Sequence, residues 1–374
     1  MHRFRLNDTY NCKLNIKTAD RLKILLVKLS SLGDVLHTLP VVNDIKTAWP
    51  DAQVDWVVEA SFAGVVRRCE GVNKVITCEL RTWRKSLLST ETRQAWAAFK
   101  TDLQYEQYDA VIDLQGLTKS AVVSKFAKLS PTGKRFAMAN RTDGSSYEAP
   151  TRWLADEAIQ LQPHVHAVQR ARVVCAQALR YRLSEYALFK PQFRLLASVN
   201  IASIDINNIA KNDSKSIVVF AHGSSREDKL WPIRQWVELG KRLNAQGLGV
   251  ALAHGSAAEE QRSQTIAVQL SDAVVWPRLG LDALVDALAN TAGVVGVDSG
   301  LSHMAVALNL PHVQIYNFDT AWRTGPVKWL EEAAFAKQVS VFEQPTPSVD
   351  AVWQAWLAVN AANATNMTNA VNRS

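Results

Sequence analysis

At 374 residues the chain is too long for one typical hydrophobic core, so two domains are the expectation. Its 48% hydrophobic and 21% charged residues are the balance of a globular chain, and no apolar run reaches the roughly 18 residues of a membrane-spanning helix. The net charge of +7 points to an anionic partner such as a nucleotide, a nucleic acid or a phosphorylated membrane surface, but it is spread thinly, and no nucleic-acid-binding motif accompanies it.

Residues 1–21 are polar and mixed in charge, without the apolar centre of a signal peptide, and read as a disordered extension. Cys12, Cys69, Cys78 and Cys175 have no metal or CxxC spacing, which suits reduced thiols in a cytosolic protein. Strand-like apolar runs then lie at 24–27, 54–58, 75–77 and 110–114, alternating with helix-like stretches at 35–48, 62–69, 90–103 and 118–127. Such a βαβα rhythm implies a parallel sheet covered on both faces. Two further helical stretches are expected at 151–161 and 167–179.

The first strand leads directly into Lys28-Leu29-Ser30-Ser31-Leu32-Gly33-Asp34. Parallel α/β folds place ligands in the crevice outside the carboxyl ends of their strands. Gly33 permits a tight turn or a close approach. Asp34 has two readings here, a helix cap or a carboxylate aimed into a cleft as a general base.

The rhythm breaks between about 181 and 215, where residues of mixed polarity suggest a linker, and restarts at 216. Strands are expected at 216–221, 249–253, 273–275, 293–297 and 313–316, with helices at 233–245, 257–270, 281–290 and 301–308. The resulting α/β architecture is two Rossmann-like domains that would face each other across a cleft, a pattern shared by one large class of nucleotide-sugar transferases, by periplasmic binding proteins and by some epimerases, so the rhythm alone does not decide between them. We expect an N-terminal domain at 22–190, a linker at 191–215, a C-terminal domain at 216–345, a last helix at 346–359 and a disordered Asn-rich tail at 360–374. Val352, Trp353, Trp356 and Leu357 would pack that last helix on the protein, with a crossing back to the first domain as one option.

Three loops of the second half follow strands. His222-Gly223-Ser224-Ser225-Arg226-Glu227-Asp228-Lys229 offers two hydroxyls, free N–H groups and a lysine, a set that suits a pyrophosphate, or equally a polar capping loop. Val297-Asp298-Ser299-Gly300-Leu301-Ser302-His303 turns a strand into a helix whose N-terminus favours an anion. His254-Gly255-Ser256-Ala257-Ala258-Glu259-Glu260 carries acids that either bind ribose hydroxyls or complement a helix start. Convergence of three such loops at one sheet edge is the stronger sign of a ligand site.

Lys28, Ser30, Ser31, Gly33, Asp34, His37, Thr38, Leu39 and Pro40, together with Asp298-Ser299-Gly300-Leu301-Ser302-His303, resemble the lipopolysaccharide core heptosyltransferases, glycosyltransferase family 9, and most nearly their heptosyltransferase I branch. Asp55-Trp56-Val57-Val58-Glu59, Arg81-Thr82-Trp83-Arg84-Lys85, Asp113-Leu114-Gln115-Gly116-Leu117-Thr118-Lys119-Ser120 and His166-Ala167-Val168-Gln169-Arg170 extend the resemblance, which runs from about Leu22 to about Leu357. It implies a GT-B glycosyltransferase that takes heptose from ADP-heptose, inverts the anomeric centre and delivers it to a Kdo residue of lipid A. Such an enzyme would work as a monomer at the cytoplasmic face of the inner membrane.

By the same resemblance, Asp34 matches the catalytic base, which favours that reading over the cap. Lys229, Ser224 and Ser225 match the phosphate ligands, Lys229 being expected to assist catalysis too. Glu259 matches the ribose-binding acid, and Asp298, Ser299, Gly300 and His303 the donor-side loop. Lys28, Ser31, Gly33, Arg81, Arg84, Lys85, Gln115 and Lys119 are the acceptor-side candidates, and Trp83, Trp96 and Phe99 add an aromatic component that is either surface or core. No Asp-x-Asp metal motif occurs, so the donor is expected to need neither metal nor cofactor. The segment 316–325 departs from the family's Tyr-Gly-Pro-Thr-Asp-Pro, as 141–148 departs from its commonest pattern. These departures leave open another nucleotide sugar, another core acceptor, or a nucleotide-sugar-binding homologue without turnover.

Overall fold

Short apolar runs flanked by amphipathic helices are buried on both sides only when the strands lie together and the helices cover both faces. The computed structural model, which describes residues 21–86, 88–198, 216–327 and 336–371, has two such sheets. The first contains β1 (Lys23–Val27), β2 (Gln53–Glu59), β3 (Lys74–Cys78), β4 (Gln107–Asp113), β5 (Lys128–Met138) and β6 (Glu157–Ile159). The second contains β7 (Ile217–Ala221), β8 (Gly249–Leu252), β9 (Ala273–Val275), β10 (Gly293–Val297), β11 (His312–Tyr316) and β12 (Gln338–Phe342). All pairings are parallel, in the orders β3-β2-β1-β4-β5-β6 and β12-β11-β10-β7-β8-β9. Each order reverses once, between β1 and β4 and between β7 and β10. The crevices that parallel sheets offer to ligands lie at those reversals, beyond the strands' carboxyl ends.

Helices of the first half are α1 (Leu32–Thr38), α2 (Pro40–Ala48), α3 (Ala63–Arg67), α4 (Leu80–Trp83), α5 (Thr90–Leu103), α6 (Thr118–Phe126), α7 (Pro150–Trp153), α8 (Ala167–Ala178) and α9 (Glu185–Phe189). Those of the second half are α10 (Ile233–Ala245), α11 (Ala257–Ala267), α12 (Leu281–Ala289), α13 (Gly300–Ala307), α14 (Ala321–Thr324) and α15 (Val349–Val371).

Several expectations are corrected. The helix expected at 35–48 is two helices, because Pro40 has no N–H to continue α1 and instead begins α2 at its first position. The helix expected at 151–161 is the single turn α7 followed by β6, whose Glu157–Ile159 pairs with Phe136–Met138. Its neighbour β5 has no strand-like pattern in the sequence because Pro131 and Gly133 interrupt it; the register with β4 shifts between Tyr108 and Ala110. The last helix continues past 359 to Val371, into residues expected to be disordered, where alanines favour helix. Its buried Val352, Trp356 and Val359 join the core of the second sheet rather than crossing to the first. The aromatic part of the Arg81–Lys85 region is core as well, Trp83 and Phe99 being 8% and 4% exposed. Cys69, Cys78 and Cys175 are free and buried, while Cys12, most of the extension and residues 199–215 of the linker lie outside the described residues.

The two halves share apolar packing. One cluster runs from Leu26, Leu36 and Val65 across to Val285, Leu288 and Met304.

Candidate active site

The turn after β1 is fixed on three sides. Lys28 N–H donates to the Val57 carbonyl (3.2 Å), the Trp56 indole donates to the Lys28 carbonyl (3.1 Å), and Gln115 Oε1 accepts from the Leu29 and Ser30 N–H groups (3.1 Å each). Gln115, expected among the acceptor-side residues, thus braces this loop. Ser31 is the N-cap of α1, and Asp34, in the first turn, accepts at Oδ2 from the Ser31 N–H (3.3 Å) and hydroxyl (3.2 Å). The two sequence readings of Asp34 are therefore compatible: one oxygen completes a capping box, and the other faces charge.

That other oxygen, Oδ1, stands 3.6 Å from Lys28 Nζ and 3.6 Å from the Arg170 guanidinium of α8. Burial alone would raise the Asp34 carboxyl, but Lys28 and Arg170, with the Ser31 hydrogen bonds, hold it below the ordinary carboxylate value. It is ionised at neutral pH and its side chain is 37% exposed. Lys119 Nζ donates to Ser30 Oγ (3.4 Å), and Glu59 is buried at the end of β2 among the charges of Lys119 and Arg81. Arg81, Arg84 and Lys85 are exposed on and after α4.

Across the crevice, β10 delivers Asp298 and Ser299, the N-cap of α13. Asp298 holds Lys229 Nζ (2.6 Å) on one oxygen, and His303 Nε2 (3.2 Å) and Thr324 Oγ1 (3.3 Å) on the other. Burial would raise this carboxyl too, but His303 and Lys229 hold it far below its ordinary value. Ionised and already engaged, Asp298 is suited to orient Lys229 and His303 rather than to touch a phosphate itself. Ser224 and Ser225 lie before the short turn Glu227–Lys229. Glu259 reaches their loop: its carboxylate accepts from Gly255 N–H (2.7 Å) and leaves no room for a Cβ at Gly223, which would come 2.5 Å from Oε1. Asn317, in the segment that departs from the family pattern, clamps the same loop by donating to the Asp228 and Leu230 carbonyls (2.9 and 3.1 Å).

The two walls meet at glycines. A Cβ on Gly33 would lie 2.8 Å from His303 Cδ2, and one on Gly300 would lie 2.8 Å from Leu32 Cδ2. Helix α1, which carries Asp34, therefore lies directly on α13. The His37 ring is 4.2 Å from that of His303. The departing segment also spans the cleft, with Trp322 stacked on His164 (3.6 Å) and the Gly325 carbonyl 2.9 Å from His166 Nε2. Among the described residues, no group of three His, Cys, Asp or Glu side chains gathers as metal ligands.

Arg170, His37, His166 and Arg323 are site residues to which the sequence assigned no role. One signal was available: His166 and Arg170 are four apart across a helix start, so they share a face.

The sequence pattern of glycosyltransferase family 9 (heptosyltransferase) matches residues 96–349. The chain is 37% identical over 302 residues to lipopolysaccharide heptosyltransferase 1 of Pseudomonas aeruginosa, covering 79% of this chain and 78% of that one. It is 36% identical over 296 residues to lipopolysaccharide heptosyltransferase 1 of Escherichia coli K12, covering 79% and 88%. Among solved structures, E. coli heptosyltransferase WaaC with ADP superposes with a TM-score of 0.74 at 30% identity, over 91% of this chain and all of that one (100%). E. coli ADP-heptose lps heptosyltransferase II, at 23% identity and a TM-score of 0.71 over 91% and 99%, shares the fold.

Proposed function

The chain belongs to glycosyltransferase family 9, the heptosyltransferases, and from that premise we propose that it transfers heptose from ADP-heptose to a Kdo residue of lipid A, with inversion and without a metal. The observation that carries this reading is the direct contact of α1 and α13. It sets an ionised carboxylate, Asp34, on one wall of the cleft against a lysine and a helix N-terminus on the other.

The chemistry follows from charge. An acceptor hydroxyl attacks C1 of the donor sugar, its proton passes to Asp34, and the C1–O bond to the diphosphate breaks. The sugar passes through an oxocarbenium-like state while negative charge grows on the departing ADP. Lys229, the Ser224 and Ser225 hydroxyls and the N-terminus of α13 receive that charge, with Glu259 on the ribose. Lys229 supplies the cation that a metal would otherwise provide. WaaC, 30% identical, is known with ADP and with ADP-2-deoxy-2-fluoro heptose, which supports an adenosine diphosphate donor here. Work at the inner face of the inner membrane, on a lipid-linked acceptor, belongs to the same reading; no described helix is long and apolar enough to cross a membrane.

The test is transfer to Kdo–lipid A by purified protein with EDTA present, beside calorimetric titration with ADP-heptose, ADP, UDP and GDP-mannose. Turnover with EDTA and selective binding of the adenosine ligands are expected. Asp34→Asn should lower kcat on the order of 10²- to 10⁴-fold, with the ADP-heptose Kd unchanged to about twofold. Wild-type turnover in that variant would remove Asp34 as the base. Preference for a uridine or guanosine ligand would favour the second reading, a related transferase with another donor, which the altered segment 316–325 motivates.

A further inference from the structure

Lys28 and Arg170 are both buried, at 3% and 9% exposure, yet neither makes a hydrogen bond to the carboxylate between them. Both cations are 3.6 Å from Asp34 Oδ1, beyond hydrogen-bond length. Their donors point elsewhere, Lys28 Nζ to the Leu114 carbonyl (3.1 Å) and Arg170 Nη1 to Thr142 Oγ1 (3.2 Å). Arg323 of α14 approaches the same place from the other half of the chain, where its Nη1 donates to the Gly144 carbonyl (3.4 Å) and its Nε is buried without an acceptor.

Nearby anions do not balance these charges. Besides Asp34 there is Asp113, whose Oδ1 accepts from the Gln115 and Gly116 N–H groups and whose Oδ2 accepts from the Ser120 hydroxyl. Lys28, Arg170 and Arg323 thus face Asp34 and Asp113, the latter already engaged by its own turn, while Asp298 across the cleft is taken by Lys229 and His303 and Lys119 adds a further cation at Ser30. His37 and His166, which also look into this region, are pushed down by burial and add no charge at neutral pH. A buried surplus of positive charge is costly without a partner. A planar guanidinium beside an ammonium matches a carboxylate.

We propose that Lys28 and Arg170 seat a carboxylate of the acceptor sugar immediately beside Asp34, so that the acceptor's own charge draws the two cations off the base as its hydroxyl arrives. This rests on the function proposed above and names the group of the acceptor that the site reads. The carboxylate, rather than a lipid phosphate, is the anion because it is carried on the same sugar ring as the attacking hydroxyl, and the seat adjoins the base that must reach that hydroxyl. The arrangement also answers a difficulty in the chemistry. A carboxylate held low by two cations is always ionised but is a poor proton acceptor. Pairing the cations with an incoming anion restores its basicity only when the acceptor is present. Arg170 is in this sense a positioning residue that reads the acceptor and tunes Asp34.

The experiment is a double-mutant cycle between protein and acceptor. Wild type and Arg170→Gln are assayed on Kdo–lipid A and on the same acceptor with the Kdo carboxylate converted to its methyl ester. A third acceptor, with the lipid A phosphates removed, separates the two sources of negative charge. Wild type should lose on the order of 10- to 100-fold in kcat/KM on the ester. Arg170→Gln should lose a similar factor on the acidic acceptor yet discriminate acid from ester by less than about threefold. Its acid limb in kcat/KM should move to higher pH, because removing Arg170 removes a cation that holds Asp34 down. Lys28→Gln repeats the cycle if the arginine variant does not fold, with ADP-heptose affinity as the check on folding in each. Additive losses, or discrimination that follows the phosphates, would overturn the carboxylate seat while leaving the transferase reading intact. Absence of wild-type transfer to any Kdo–lipid A acceptor would overturn both.

Discussion

Among single residues, four buried histidines, His37, His166, His222 and His312, are held toward the neutral form. His37 is held well below its ordinary 6.5, first by burial and then by its neighbours His303 and His166; burial likewise pushes His166, His222 and His312 down to about 4. In the site this matters, since a charged imidazole beside Lys28 and Arg170 would add to an existing surplus. It also has a pH signature. Between about 6.5 and about 4 the unfolded chain binds protons at these rings that the folded chain does not, so each contributes stability that is lost as pH falls through that window. Asp113, raised to about 6 by burial, works in the opposite sense, so the measurement must be a difference. His312 is the clearest case, because it lies on β11 with Nδ1 on the Val294 carbonyl (2.9 Å) and burial is the largest influence on it. Relative to His312→Gln, wild type should lose melting temperature as pH is lowered from 7 to 4.5; parallel curves would mean that His312 titrates normally in the folded state.

Single elements owe their placement to a few buried polar links. Helix α8 carries two arginines with different tasks. Arg170 faces Asp34, while Arg172 forms a two-bond pair with Asp44 of α2 (2.6 and 2.8 Å) and also donates to the Ala187 and Leu188 carbonyls of α9. This clip fixes α8 to α2 and so positions the guanidinium of Arg170. Asp44→Ala leaves Arg172 buried without its anion, and should destabilise the protein by about 3–5 kcal/mol in urea unfolding. A loss under about 1 kcal/mol would show that water or the α9 carbonyls suffice. Such clips also mark where sequence reading stops. The strands β1, β2, β7 and β10 are legible as apolar runs, and the loops after β1, β7, β8 and β10 as glycine-bearing turns, because those patterns are local. Strand β5, with its proline and glycine, and β6, read as helix, take their state from partners distant in the chain. Arg170 looks like an ordinary surface arginine until tertiary contact buries it beside Asp34.

Among the described residues the two halves of the molecule meet at several places, and two of these differ in character. Arg68 of α3 holds Asp286 of α12 through two hydrogen bonds (2.9 and 2.7 Å), and Ser198, at the edge of the undescribed segment between the halves, donates to the same carboxylate. At the other contact, α1 and α13 touch through Gly33 and Gly300, with almost no polar linkage and no free space. A charged clip near the connection and a smooth glycine contact at the chemistry suit a hinge that closes the cleft around its ligands. Gly300→Ala tests this directly. Its Cβ would press on Cδ2, Cγ and Cβ of Leu32 at 2.8, 3.0 and 3.2 Å, a row that no single rotamer change clears, so α1 must back away from α13. Because a displacement of about 1 Å at the reacting groups costs on the order of 10²-fold, kcat should fall by that order. ADP, which the proposed function assigns to residues of the second half, should keep its affinity to about threefold, and the small-angle scattering profile with ADP-heptose should stay closer to the ligand-free one than in wild type. A variant with normal kcat and normal compaction would show that the helices part during turnover, and that the contact of Leu32 with Gly300 belongs to the resting form rather than to the transfer step.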